Sequence, residues 1–307
     1  MTAYTNDKRD LPFGHSAAIQ DPEVLLFLNS IDLNLNNTLS DLRVVDDFCV
    51  GFRQWILAST NHTLLGLEDF KFSAYSQGTS EAFDKFYMKN RTRRFRCFKA
   101  EYMYHQLAWR NAWPNWMHLE DGILGTNDAV VISIPFADTG DKHHLHDELL
   151  NQCDKLGIPV LVDCAYFAIS SGITMDFTHT CITDVTFSLS KAFPVAHARI
   201  GIRLTRTDDD DTLFVYQKSY YNNRLGAKIG LELINNFKPD YIPTKYKQKQ
   251  IEFCKELSIV PSKTVMFGIA QSNWKEYNRG GVTNRLSIHR FLDKDITELK
   301  GVINGCK

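Results

Sequence analysis

The chain has 307 residues, 44% of them hydrophobic, with a formal net charge of −1 and a pI near 6.8. That length can bury a large core with a small appendage, and the near-neutral charge removes any general attraction to nucleic acid or an anionic membrane, so a small-molecule partner is expected. Seven scattered cysteines with no C-x-x-C pair, a polar Met1–Asp10 start and no long apolar run lead us to expect free thiols in a cytoplasmic protein without a metal site or membrane span.

Taken in chain order, residues 1–40 read as an arm containing Leu11-Pro-Phe-Gly14 followed by a short helix on the apolar run Val24 to Leu28. Helical spacing of apolar residues resumes from Leu39 to about Ser59. Between Phe72 and Arg203 short apolar runs alternate with helix-like stretches, the pattern of a mainly parallel sheet with flanking helices. Phe72 to Tyr75 is one such run, and Gly78-Thr-Ser-Glu-Ala82 opens a helix behind it. Ala129 to Ile134 predicts a buried strand, Lys142 to Leu156 a helix stopped by Gly157, and Pro159 to Asp163 the next strand. Val185 to Ser188 and Ala198 to Arg203 predict two more. Beyond Tyr216 the chain turns helical, crosses a Pro- and Lys-rich link from Lys238 to Lys249 and ends in a small mixed domain. The expected division is an arm over 1–40, a large α/β domain over 41–235 and a small C-terminal domain over 236–307. The run Asp208 to Asp211 reads as a solvated turn, and His143, His144 and His146 as exposed helix histidines, because no carboxylate or cysteine supports a metal at that spacing.

The chemistry concentrates where strands end, which is where ligands gather in such sheets. Lys191 follows Ser188-Leu-Ser190 among apolar neighbours, and a partly desolvated amine is a nucleophile towards an aldehyde. Asp163 closes its strand in Val162-Asp-Cys-Ala-Tyr166; it can hold a protonated ring nitrogen or simply cap a helix. Tyr166 can donate its phenol to a ligand oxygen or be a half-buried aromatic. Arg199, eight residues after Lys191, offers a fixed fork for a phosphate or a structural ion pair. Gly78 and Thr79 at a helix start can supply N–H groups and a hydroxyl to the same anion.

In this order the pieces resemble the class I/II aminotransferases, pyridoxal-phosphate (PLP) enzymes of fold type I. The most specific part is Asp163-Cys-Ala-Tyr166, then Phe187-Ser-Leu-Ser-Lys-Ala-Phe193, then Ala198-Arg-Ile-Gly-Ile-Arg203. The resemblance implies an α/β fold with a small terminal domain, a homodimer with shared sites, and transfer of an amino group between an α-amino acid and a 2-oxo acid. It implies that Lys191 carries the cofactor as an internal aldimine and moves the proton, that Asp163 holds the pyridine nitrogen and that Tyr166 holds the 3′-oxygen. Ser188, Ser190, Arg199, Gly78 and Thr79 match the phosphate cradle; Tyr102, or else Tyr104, matches the aromatic that stacks on the ring; Arg285 matches the grip on the substrate carboxylate. The stretch Pro135-Phe-Ala-Asp-Thr-Gly140 departs from the family, since Ala137 stands where an Asn is usual. This opens the alternative of a PLP lyase, decarboxylase or cyclase. Phe214 to Tyr221 contains Gln217 and Lys218 but no arginine for a substrate's side-chain carboxylate, which implies a neutral, aromatic or basic amino donor.

Overall fold

The structure, a computed structural model, describes residues 11–112, 115–208 and 211–305. Met1 to Asp10, Asp209 and Asp210 in the aspartate run, and Cys306 lie outside the described residues. Helices α1 (Pro22–Ser30), α2 (Leu35–Ser40) and α3 (Val44–Leu57) come first. The α/β part then runs β1 (Thr63–Leu65), β2 (Phe72–Gln77), α4 (Gly78–Lys89), β3 (Arg94–Cys97), α5 (Met103–Ala112), β4 (Trp116–His118) and β5 (Asp128–Ser133). It continues through α6 (His146–Leu156), β6 (Val160–Asp163), β7 (Thr174–Asp176), β8 (Ile182–Ser188) and β9 (Ile200–Thr205). The last part holds α7 (Thr212–Lys218), α8 (Arg224–Asn236), α9 (Tyr241–Glu256), β10 (Val260–Pro261), β11 (Phe267–Ala270), β12 (Asn284–Ser287) and α10 (Ile296–Gly305).

Seven strands form one sheet in the order β2-β9-β8-β6-β5-β3-β4. All pairings are parallel except those of β9, which is antiparallel to both β2 and β8. Every residue of β5 and β6 is buried, as expected for strands covered on both faces. Because β9 runs against its neighbours, its first residues lie beside the last residues of β2 and β8, where Gly201 pairs with Ser76 and Ser188. Asp163, Ser188, Gln77 and Arg199 are thereby gathered at one edge. A three-stranded antiparallel sheet, β10-β11-β12, lies in the C-terminal part. The N-terminal segment packs there too: Phe13 meets Trp274, Tyr277 and Phe291, its carbonyl accepts from the Ser287 amide at 2.8 Å, and buried Asp21 accepts from Tyr246 at 2.6 Å and pairs with Lys245 at 2.8 Å.

Several sequence expectations are corrected. The helical stretch from Leu39 to Ser59 is divided, because Ser40 turns its hydroxyl back to the Asn36 carbonyl and the Asp41 carboxylate takes the Arg43 amide at 2.9 Å. The Pro- and Lys-rich link is the helix α9: Pro243 lies in its first turn, where no amide hydrogen is needed, and Ile242, Tyr246, Gln250, Phe253 and Cys254 form its buried stripe. Strands β3 and β4 carry no clear apolar run, since β3 contains Arg94 and the fully buried Arg96, both paired with Asp128 at 2.7 Å. Of the three histidines expected on an exposed helix face, His143 and His144 precede α6, and His143 stacks on Phe98 with ring centroids 3.6 Å apart. His146 is buried at the first position of the helix, and its pKa is pushed down to about 4 by that burial. In the aspartate run, Asp208 pairs with Lys218 at 3.0 Å, and Asp211 caps α7 and pairs with buried Arg203. No helix among the described residues is long and apolar enough to cross a membrane, and no group of three or more His, Cys, Asp or Glu converges among them.

Candidate active site

Lys191 sits in the turn after β8, half-buried, with its Nζ donating to the Ser16 carbonyl at 3.0 Å and standing 6.0 Å from the centre of the Tyr166 ring. Asp163, the buried last residue of β6, accepts the Ala165 amide at 3.0 Å through Oδ1. Its Oδ2 faces His105 Nε2 at 3.8 Å, and His105 Nδ1 lies 2.6 Å from the Tyr87 hydroxyl. The half-buried Tyr166 ring meets Phe267 edge-on at 5.3 Å. Burial alone would raise its phenol pKa, but the positive charges of Arg285, Lys191 and Arg279 outweigh it and hold the phenol below its usual 10.

Beside the lysine lies a seat shaped for an anion. Gly78 opens α4 with a φ of +70°; the Gln77 side chain makes no cap there and the Glu81 carboxylate takes only the Gln77 amide, at 2.8 Å, so the N–H groups of the first turn remain available. A Cβ on Gly78 would stand 2.5 Å from Arg199 Nη2. Arg199 itself is in the left-handed region at φ +56°, and its Nη2 donates to the Gln77 carbonyl at 2.8 Å and to Ser80 Oγ at 2.7 Å. Gly201 allows this close approach, since a Cβ there would be 2.9 Å from the Phe187 carbonyl and 3.0 Å from the Gly78 backbone. The hydroxyls of Ser188 and Ser190 are 2.8 Å apart.

These groups border one cleft of about 660 Å³, part of it open to solvent, lined by Thr79, Ser80, Tyr102, Ser133, Asp163, Tyr166, Ser190, Lys191 and Arg199 among others. Gly78 and Ser188 are not lining residues but touch ones that are, Gly78 against Arg199 and Ser188 Oγ 2.8 Å from Ser190 Oγ. Tyr102, 40% exposed, lines the cleft, whereas Tyr104 gives its hydroxyl to Asp84 on α4 at 2.8 Å. Ala137 is at the cleft as well; its amide donates to Ser133 Oγ at 3.1 Å, and its methyl group offers no donor. Arg285 on β12 is not a lining residue but lies against the same region. It is buried, stacks over Phe267 at 4.1 Å, and donates to the Ala137 carbonyl and to Ser16 Oγ, the latter at 3.2 Å. Burial, reinforced by the nearby positive Arg279, lowers its pKa to about 10.

Sequence reasoning missed Ser16, Ser80, Glu101, His105, Ser133 and Arg279. Ser133 ends a buried strand at the ligand-gathering edge, a signal that was there to read. Glu101 is buried and accepts from the Ser133 hydroxyl and amide and from the Tyr102 amide; burial raises its pKa. Ser16 and His105 reach the site only through contacts between distant parts of the chain, and no local pattern marks them.

No family model and no curated protein matches the sequence. Solved structures do match at low identity. The histidinol-phosphate aminotransferase from Clostridium acetobutylicum superposes with a TM-score of 0.66 at 14% identity, covering 96% of this chain and 98% of that one. An aminotransferase from Staphylococcus aureus gives a TM-score of 0.68 at 12% identity over 99% and 95% of the two chains. The L-threonine-O-3-phosphate decarboxylase from Porphyromonas gingivalis gives 0.64 at 13% identity over 96% and 98%. The likeness is one of fold: this chain has the aminotransferase type I fold over 96–99% of its length.

Proposed function

We propose that this protein is a PLP-dependent aminotransferase that moves an amino group between an α-amino acid and a 2-oxo acid, acting as a homodimer. The observation that carries the reading is the convergence of Lys191, Asp163, Tyr166 and the Arg199–Gly78 seat on one cleft. The groups fit the cofactor's parts. The uncapped helix start, the Arg199 guanidinium and the paired Ser188 and Ser190 hydroxyls suit its phosphate; the buried Asp163 carboxylate suits a protonated ring nitrogen; Tyr166 suits the ring oxygen. Tyr102 offers a face for stacking. When bound, the cofactor supplies an electron-withdrawing ring that makes the bonds at an amino acid's α-carbon labile. Lys191 then moves a proton to and from that carbon, Asp163 keeps the ring proton in place, and Arg285 orients the substrate's carboxylate through a bidentate fork.

The homodimer reading is supported by exposed apolar side chains, Leu35 (57%) and Leu39 (51%) on α2 and Tyr221 (81%) shortly before α8, whose first residue, Arg224, donates to the Leu39 carbonyl. A lyase, decarboxylase or cyclase on the same site is the second reading, and Ala137 favours it by leaving the ring oxygen without the usual second donor. Borohydride treatment of the holoprotein followed by peptide mapping tests the central assignment. Covalent cofactor on Lys191 is expected, and cofactor on another lysine overturns it. Products formed from an amino-acid panel separate the two readings, since a keto acid, an amine and an alkene differ in mass.

A further inference from the structure

A buried acid touches two residues that line the cleft. Glu101 lies in the link between β3 and α5, after Ala100 at φ +61°, and is 1% exposed. Its carboxyl group meets the Tyr102 amide at 3.0 Å, the Ser133 amide at 3.1 Å and the Ser133 hydroxyl. Each of these partners is uncharged, and the titratable side chain that acts on it is the buried His105. Dehydration without a cation favours the neutral acid, and burial, the largest influence on Glu101, raises its pKa. Ser133 ends β5, pairs in register with Asp163 on β6, and lines the cleft together with Asp163, Tyr166 and Lys191. Its hydroxyl has one proton to give and two lone pairs. The Ala137 amide takes up one lone pair, at 3.1 Å. When Glu101 is neutral its own O–H fills the other, and the Ser133 proton is left for an acceptor in the cleft. When Glu101 is ionised the Ser133 proton turns to the carboxylate, and the hydroxyl can only accept from the cleft. The state of Glu101 thus sets whether the cleft wall donates or accepts at this point.

We propose that Ser133 donates a hydrogen bond to the ring oxygen of the bound cofactor and that Glu101, the donor behind it, is the positioning residue that turns the hydroxyl outward. This deepens the PLP reading and rests on it. The donor comes from the last residue of β5, whereas Ala137, in the loop beyond, contributes only its amide, and that to Ser133 itself. With Ser133 and Tyr166 both donating, the ring oxygen has two partners, and Ala137 no longer separates the lyase reading from transamination.

The test follows the proton that bound cofactor shares between its ring oxygen and Lys191 Nζ, read in the holoprotein as the pH midpoint of the visible band. A donor to that oxygen competes with this proton for the same lone pairs, so losing the donor leaves the proton more tightly held. Ser133→Ala should therefore raise the midpoint by about one pH unit, the loss of one hydrogen bond to a charged oxygen, and Ser133→Thr should restore it. Asp163, Tyr166 and Arg285, the other titratable groups near that proton, are the same in every variant. Glu101→Gln, whose amide donates to Ser133 as the neutral acid does, should keep the parent midpoint. Glu101→Ala should raise it by less than Ser133→Ala and add nothing in the double variant, because it acts through Ser133. An unchanged midpoint in Ser133→Ala overturns the proposal. So does a fall in Glu101→Ala, since removing a nearby negative charge weakens the hold on a proton and would mark Glu101 as ionised. Where Glu101 variants do not fold, the Ser133 pair decides alone. Absence of any visible band in the parent protein would overturn the functional reading and this proposal with it, whereas a band indifferent to Ser133 would overturn only the roles given to Ser133 and Glu101.

Discussion

Asp163 and Arg199 both line the cleft but have different surroundings, Asp163 beside Ala165 and His105 and Arg199 beside Gln77 and Ser80, so on the proposed reading replacing them should have different consequences. Asp163→Ala removes the buried carboxylate proposed to meet the ring nitrogen but leaves the Gly78–Arg199 contact intact. It should retain most of the cofactor and lose most turnover. Arg199→Ala removes a guanidinium from the seat and should weaken cofactor binding by about 1.5–3 kcal/mol, measured by equilibrium dialysis alongside kcat. Equal losses of both quantities in both variants would contradict the division of roles. Positions of this kind were legible in the sequence because each sits at a strand end inside a short contiguous motif. Ser16 was not, since its value lies in joining Lys191 and Arg285, residues that only the fold brings within its reach.

The start of α4 shows how much of the site is a property of an element. Gly78 and Gly157 both have left-handed backbones, at φ +70° and +62°, but a Cβ at Gly78 meets Arg199 Nη2 at 2.5 Å while one at Gly157 meets nothing within 4 Å. Each substitution to alanine should cost about 1 kcal/mol of stability from the backbone alone. Only Gly78→Ala should also displace Arg199 and lower cofactor affinity, so comparing denaturation midpoints with cofactor titrations separates the two effects. Loss of cofactor by Gly157→Ala, or full retention by Gly78→Ala, would contradict this account. The elements legible from sequence were β5 and β6, with their uninterrupted apolar runs, and β2, β8, β9 and the helix α6, whose apolar residues recur over short spans bounded by turn residues. The helix α9 was hidden by Pro243 and its lysines, which a first turn and the polar side of the helix accommodate, and β3 by two arginines that find their shared carboxylate, Asp128, only on folding.

For the molecule as a whole, the buried histidines set the acid limit. Burial holds the pKa of His146 at about 4 and that of His289 at about 3, against an ordinary value of 6.5. Above pH 6.5 neither state is protonated at these groups and their contribution to stability is intact. As the pH falls below 6.5 the unfolded chain takes up protons that the folded chain refuses until about pH 4 or 3, so stability is lost through that window. Each histidine should contribute a slope of up to about 1.4 kcal/mol per pH unit there. Urea denaturation between pH 7 and 4 should show the decline, and His146→Gln should flatten it; an unchanged slope would show that His146 is not its source. The antiparallel placement of β9 has a further consequence for the order in which this protein comes into being. Arg199 reaches the Gln77 carbonyl across 122 residues, and Lys191 reaches Ser16 across 175. During synthesis the chain can bury β2 and α4 early, but the seat for an anion cannot close until the segment carrying Arg199 has left the ribosome and threaded between β2 and β8. A nascent chain stopped at β8 would already hold Asp163 and the strands of the parallel sheet, yet the Gly78 end of α4 would lack its Arg199 neighbour, so on the proposed reading capture of the cofactor must wait for β9.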